Sequence, residues 1–119
     1  SYSVTHRWSV EVARACKRAC SAPVVFGGPH VAAVPERAVR EWSIDAVVEG
    51  EGEGALLDLL DCAEVGRFGR SDIANCTFVR DGEIVRNRVR PLLQDLDELP
   101  WADKSGFYAA VPGFEHEFY

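Results

Sequence analysis

The chain has 119 residues, 47% of them hydrophobic, and its 13 Lys and Arg against 19 Asp and Glu give a formal charge of -6. That length makes one domain with enough apolar residues for a core, and the lack of a basic field argues against a nucleic-acid partner. No apolar run approaches a membrane span and no signal-peptide pattern opens the chain, so a soluble, cytoplasmic domain with no membrane partner is expected.

In chain order, "SYSVT" (1–5) reads as the end of a strand entering a loop. Ser9 is a plausible N-cap, and Val12, Cys16, Ala19 and Cys20 mark the apolar face of the helix that follows. Glu11, Arg14, Lys17 and Arg18 fall mostly on its other face. Pro23 stops the helix, and "VVF" (24–26) is a continuous apolar run suited to a parallel strand covered on both sides. "PERAVREW" (35–42) predicts a second helix, with Pro35 at its first position and Glu36 favourable in its first turn.

"IDAVVE" (44–49) is the next strand, followed by "GEGEG" (50–54). Leu56, Leu59, Leu60 and Ala63 then predict the apolar stripe of a helix ending near Gly66. Strand–helix alternation of this kind predicts parallel strands with right-handed crossovers. After Gly69 the pattern changes. Asp81-Gly82 between two runs rich in β-branched residues is a hairpin signal, because both turn residues tolerate positive φ. The segment 91–119 reads as an extended, partly packed connector whose prolines deny it long elements and whose aromatic residues need a surface to lie on. The expected organisation is an α/β portion over 1–69, a hairpin extension over 70–90 and the connector over 91–119.

The four cysteines are read as buried, reduced thiols, since their spacing forms no secreted disulfide framework. Methionine is absent and the opening residues read as the middle of an element, so a fragment of a longer protein is expected.

In open parallel sheets, ligands bind beyond the carboxyl ends of the strands. Three loops take that position: Ser3 to Thr5, Gly27-Gly28-Pro29-His30, and Gly50-Glu51-Gly52-Glu53. Paired glycines remove Cβ atoms, so a flat or bulky ligand can lie on bare backbone, although the same pair also suits a plain tight turn. His30 could ligate a metal, exchange protons or brace its loop. No second metal ligand stands at a recognisable spacing, so bracing or a ligand-edge role is expected and no metal site is assigned. His116, between two glutamates, reads as exposed.

"GEGEGA" fits the dinucleotide pattern Gly-x-Gly-x-x-Ala. Its chemistry argues otherwise, because Glu51 and Glu53 would stand where a pyrophosphate needs positive surroundings. They suit the helix dipole, or ligand hydroxyls and amides, better. "CKRAC" supplies Cys16 and Cys20 at the first spacing of Cys-x-x-x-Cys-x-x-Cys, but the third position is Pro23, so this chain holds no cluster. No catalytic triad or carboxylate pair can be assembled. The residues describe a binding scaffold with no catalytic residue of its own.

"SVT", "VVFGGPH", "IDAVVEGEGE", the hairpin "RDGEIV" and "RPLLQDLDELP" follow one another in an order that resembles the cobalamin-binding domain of cobalamin-dependent radical-SAM enzymes. The likeness spans nearly the whole chain. It implies an α/β, flavodoxin-like (Rossmann-type) parallel sheet with flanking helices, truncated at the N-terminus, plus a C-terminal hairpin and connector. It implies that Gly27, Gly28, Pro29 and His30 meet the nucleotide tail and corrin edge, that Ser3 and Thr5 line the same cleft, and that Gly50 to Glu53 closes its far side. Cobalamin would serve the parent protein, and the connector would lead to a radical-SAM barrel holding the iron–sulfur cluster and S-adenosylmethionine. The axial-ligand motif Asp-x-His-x-x-Gly of many such domains does not occur here, and neither His6 nor His30 matches it, so no cobalt ligand is assigned.

The resemblance also implies that the first two strands of a five-stranded domain precede this segment. Self-association through the sheet edge exposed near Ser3 and Val4, and weak cobalamin binding by the fragment alone, are then expected. Two other readings use the same fold: a non-catalytic nucleotide- or protein-binding module, and a piece of an NAD-type oxidoreductase.

Overall fold

The computed structural model describes residues 5–69 and 72–110. Four strands form one sheet in the order β1 (Val25–Gly27), β2 (Ala46–Val48), β3 (Cys76–Arg80) and β4 (Glu83–Arg86). β1 and β2 are parallel, and the crossover between them carries two short helices, α2 (Pro29–Ala32) and α3 (Pro35–Glu41). β3 runs antiparallel to β2 with Ala46 opposite Phe78, and β4 returns antiparallel to β3. The fold is α/β, with a flavodoxin-like parallel pair continued into an antiparallel hairpin. The hairpin is thus part of the sheet, and β2 is buried along its whole length.

Alternation along β2 divides the core in two. Val47 faces α1 (His6–Ala19), α2 and α3, in a cluster with Val10, Ala13, Val31, Ala38 and Trp42. Ala46 and Val48 face α4 (Glu53–Glu64), in a cluster with Ala55, Leu59, Ile73, Cys76 and Phe78. Helices on both faces explain why β1 and β2 read as unbroken apolar runs.

Local chemistry accounts for most boundaries. Pro35 opens α3 at its first position, and Glu36 lies in the first turn. Asp81 and Gly82 take φ of 50° and 84°, the pair of positive angles that a two-residue hairpin turn requires. Gly66, with φ of 66°, follows the last turn of α4. Just before α5 (Ser105–Ala110), the Asp103 carboxylate accepts from the Ser105 N–H at 2.9 Å, a bond that lowers its pKa.

Two helical faces differ from those expected. In α1 the buried residues are Val10 and Ala13, while Val12, Cys16 and Cys20 are exposed. The face turned inward runs from His6 through Val10 and Ala13 to Lys17, whose Nζ meets the Asp45 carboxylate at 2.7 and 2.8 Å. Asp45 also accepts from the Val24 N–H at 2.6 Å. A lysine–aspartate contact at the helix end and the small Ala13 against the sheet fix the rotation, whereas hydrophobicity alone favoured the Val12 side. α1 also starts earlier than Ser9: Thr5 is its N-cap, and Ser9 Oγ donates back to Thr5 O at 3.0 Å.

In α4 the inward residues are Ala55 and Leu59, with Cys62 and Ala63 partly covered; Leu56 and Leu60 point out. The expectation of four buried cysteines is therefore corrected. Only Cys76 is buried, although all four are free thiols. The connector is mostly exposed, with a short 3-10 turn at Leu96–Glu98 and the helix α5; Trp101 is 97% exposed.

Candidate functional site

The carboxyl ends of β1 and β2 open into a cleft of about 460 Å³. Val25 and Val48 form part of its lining beside four glycines, Gly27 and Gly28 after β1 and Gly50 and Gly52 after β2. Glu53 and Leu56, from the first turn of α4, complete the wall. The volume lies in the usual range for small-molecule sites.

Two glycines are required by backbone geometry. Gly28 has φ of 103° and stands at the N-cap of α2, and Gly50 has φ of 74°. A side chain at either would be strained. Gly27 and Gly52 have no such constraint. A Cβ at Gly52 would come to 3.8 Å from Val48 Cγ1, an ordinary contact. Their missing side chains leave backbone accessible along the cleft wall instead.

The expected site residues divide sharply. Gly27, Gly28, Gly50, Gly52 and Glu53 line the cleft together. Pro29 and His30 do not: they begin α2, Pro29 is exposed, and His30 packs against His6 of α1. The His30 ring stacks on Trp42 with centroids 5.7 Å apart and planes within 9°, and His6 packs 4.1 Å from Trp42. His30 thus packs within the helix layer, against Trp42 and His6. Thr5 is the exposed cap of α1, and Ser3 lies outside the described residues.

Glu51 has a different task from the one expected. Its Oε2 accepts from the Leu93 N–H of the connector at 2.7 Å, away from the cleft lining. Its neighbour Glu49, only 5% exposed, accepts from Thr77 Oγ1 at 2.8 Å and from Arg86 Nε and Nη2 at 3.1 and 2.6 Å. That carboxylate raises the pKa of Arg86 and secures the end of β2 directly before the glycine loop. Reading along the sequence missed Glu49 and Asn75 as structural determinants of the site. The signal for Glu49 was a carboxylate at the end of a strand buried on both faces, which demands a partner.

A cleft walled by backbone and floored by valines suits a large, mostly apolar ligand, with Glu53 available to accept from amide or hydroxyl groups. Negative charge at this helix start disfavours a pyrophosphate. Among the described residues, no three His, Cys, Asp or Glu side chains gather as a metal site, and no helix is long and apolar enough to cross a membrane.

The fold is an α/β scaffold with a cleft at the carboxyl ends of its parallel strands. No family model matches the chain. Over 78 residues it is 42% identical to an uncharacterized methyltransferase of Pyrococcus horikoshii, a match covering 65% of this chain and 17% of that protein. It is 34% identical over 80 residues to the anaerobic magnesium-protoporphyrin IX monomethyl ester cyclase of Rubrivivax gelatinosus, covering 63% of this chain and 14% of the cyclase. The cyclase of the same name from Cereibacter sphaeroides is 32% identical over 79 residues, covering 63% and 13%. The chain thus spans less than a fifth of the curated relatives it matches.

Proposed function

We propose that this chain is the cobalamin-binding portion of a methyltransferase- or cyclase-type radical-SAM protein. The observation that carries this reading is the glycine-walled cleft at the carboxyl ends of β1 and β2, open enough for a macrocycle edge to rest on backbone. The order of sequence motifs and the names of the similar proteins support it.

In this reading Gly27 and Gly28 admit the ligand on one side and Gly50 and Gly52 on the other. Glu53 accepts from peripheral amides of the corrin, and Val25 and Val48 exclude water beneath it. The corrinoid supplies a cobalt centre able to carry a methyl group or take part in radical chemistry. The iron–sulfur cluster and S-adenosylmethionine belong to a separate barrel of the parent, reached through the connector. Leu92, Leu96 and Trp101, exposed on that connector, suit packing against such a barrel.

Equilibrium dialysis of the chain against hydroxocobalamin and, separately, NAD tests the assignment. Retention of the corrinoid without NAD is expected. Retention of NAD alone, with quenching of the tryptophans, would replace the reading with a dinucleotide site.

A further inference from the structure

Asn75 immediately precedes β3, is 3% exposed and holds a left-handed φ of 66°. All four of its polar groups are engaged, and they divide between two segments. Toward the cleft, its carbonyl accepts from the Glu49 N–H at 2.7 Å and its Nδ2 donates to Glu51 O at 2.7 Å. Toward the connector, its N–H donates to Arg88 O at 2.9 Å and its Oδ1 accepts from the Arg90 N–H. Glu51 O can only accept and the Arg90 N–H can only donate, so the amide has one satisfied orientation.

Two further contacts complete a strap over the start of α4. Glu51 takes the Leu93 N–H, and the Arg90 guanidinium pairs with Asp58 on α4. Arg90 crowds Gly54 so closely that a Cβ there would collide with it. The loop 50–53 runs between the cleft and the connector. Gly50 and Gly52 face the cleft, while Glu51 and the Asn75 amide grip the connector from the other side.

We infer that Asn75 and Glu51 are positioning residues that tie the cleft wall to the connector, so that ligand occupancy and connector seating are coupled. The link to a ligand rests on the cobalamin reading above; the link between loop and connector does not. A ligand that holds Gly50 and Gly52 in place fixes Glu51 and so favours the seated connector, and by thermodynamic reciprocity a seated connector favours the ligand. Asn fits this position because it tolerates the left-handed backbone while offering both a donor and an acceptor.

The test is amide hydrogen exchange on the whole chain with Leu93→Pro and Asn75→Gly. Leu93→Pro removes the N–H that Glu51 accepts, together with the leucine side chain and the freedom of φ, at an exposed connector position outside both core clusters. Asn75→Gly keeps the positive φ and removes both side-chain bonds. The readout is the Leu56 amide, which closes the first turn of α4 on Gly52 O at 2.8 Å. It should exchange at least about tenfold faster in Leu93→Pro, which loses a hydrogen bond to a charged group, and in Asn75→Gly, which loses two neutral ones, with the central Val47 amide unchanged. Unchanged Leu56 exchange in Leu93→Pro would overturn the coupling.

Hydroxocobalamin titration then separates the two claims. Weaker uptake by Leu93→Pro than by the unaltered chain supports coupling to the ligand, and equal uptake overturns it. No uptake by the unaltered chain would sink the cobalamin reading, while the exchange result would still decide the strap.

Discussion

Glu49 and Arg86 meet through two parallel hydrogen bonds, Nε to Oε1 at 3.1 Å and Nη2 to Oε2 at 2.6 Å. The carboxylate is almost fully buried, while the arginine side chain is 49% exposed. Its position fixes the consequence, because Glu49 directly follows β2 and precedes the glycines of the cleft loop. Removing Arg86 would strand a buried charge with Thr77 as its remaining side-chain donor. Arg86→Met should therefore lower stability, though by less than the loss of a fully buried pair, since solvent reaches the arginine. Glu49→Gln keeps an acceptor for Thr77 without a charge and should lose less. Urea unfolding of both variants checks this, and a larger loss in Glu49→Gln would contradict it.

Cys76 gives the protein an alkaline limit. Burial, reinforced by the negative charge of Asp58, pushes its thiol up to about 11 from an ordinary 9.0. The folded pKa lies above the unfolded one, so this contribution is complete below about pH 9 and lost as pH rises through about 11. Its size is about 2–3 kcal/mol. Stability should decline across that window in the unaltered chain and decline less in Cys76→Ala; equal slopes would contradict the assignment. Iodoacetamide at neutral pH should modify the exposed Cys16 and Cys20 and spare Cys76.

His30 packs on the far side of its loop from the cleft lining, against Trp42 and within 4.9 Å of His6. His30→Gln should leave the absorbance spectrum of added hydroxocobalamin unchanged while loosening α1. A spectral shift in that variant would place the imidazole at the cobalt. Trp42→Ala removes the shared packing surface and should lower stability by about 3–5 kcal/mol in urea unfolding.

The hairpin offers a local test. Gly82 has φ of 84° with open space around it, so a substitution there meets backbone strain and no collision. Gly82→Val should lower stability by about 1–2 kcal/mol, whereas Asp81→Asn, which tolerates the same region, should change it little. Equal effects on thermal unfolding would refute the turn assignment.

The readable parts of this fold are those where one residue decides a local geometry. Pro35 starts a helix, Asp81-Gly82 turns a hairpin, and Gly27-Gly28 marks the end of a strand. The unreadable parts depend on partners remote in sequence. α1 turns its Val10 face inward, burying Val10 and Ala13 in the core while Lys17 meets Asp45, 28 positions away, and no periodicity within the helix contains those contacts. Leu56 reads as core and lines the cleft, since the stripe of α4 is rotated by its small Ala55. The same limit governs the site. Five cleft residues follow from the rule that parallel sheets bind ligands at their carboxyl ends, but the division of labour between Glu51, which grips the connector, and Glu53, which faces the cleft, is invisible without the strap.

The proposed seat of the corrinoid is the bare backbone between Gly27 and Gly52. Difference absorbance of hydroxocobalamin with the unaltered chain and with Gly52→Leu tests it most directly. Gly52 has an ordinary φ of -95°, so leucine fits the backbone and fills the cleft. The prediction is a saturable spectral change in the unaltered chain that the variant loses while keeping its fold. Absence of any change, or the same change in both proteins, would contradict it.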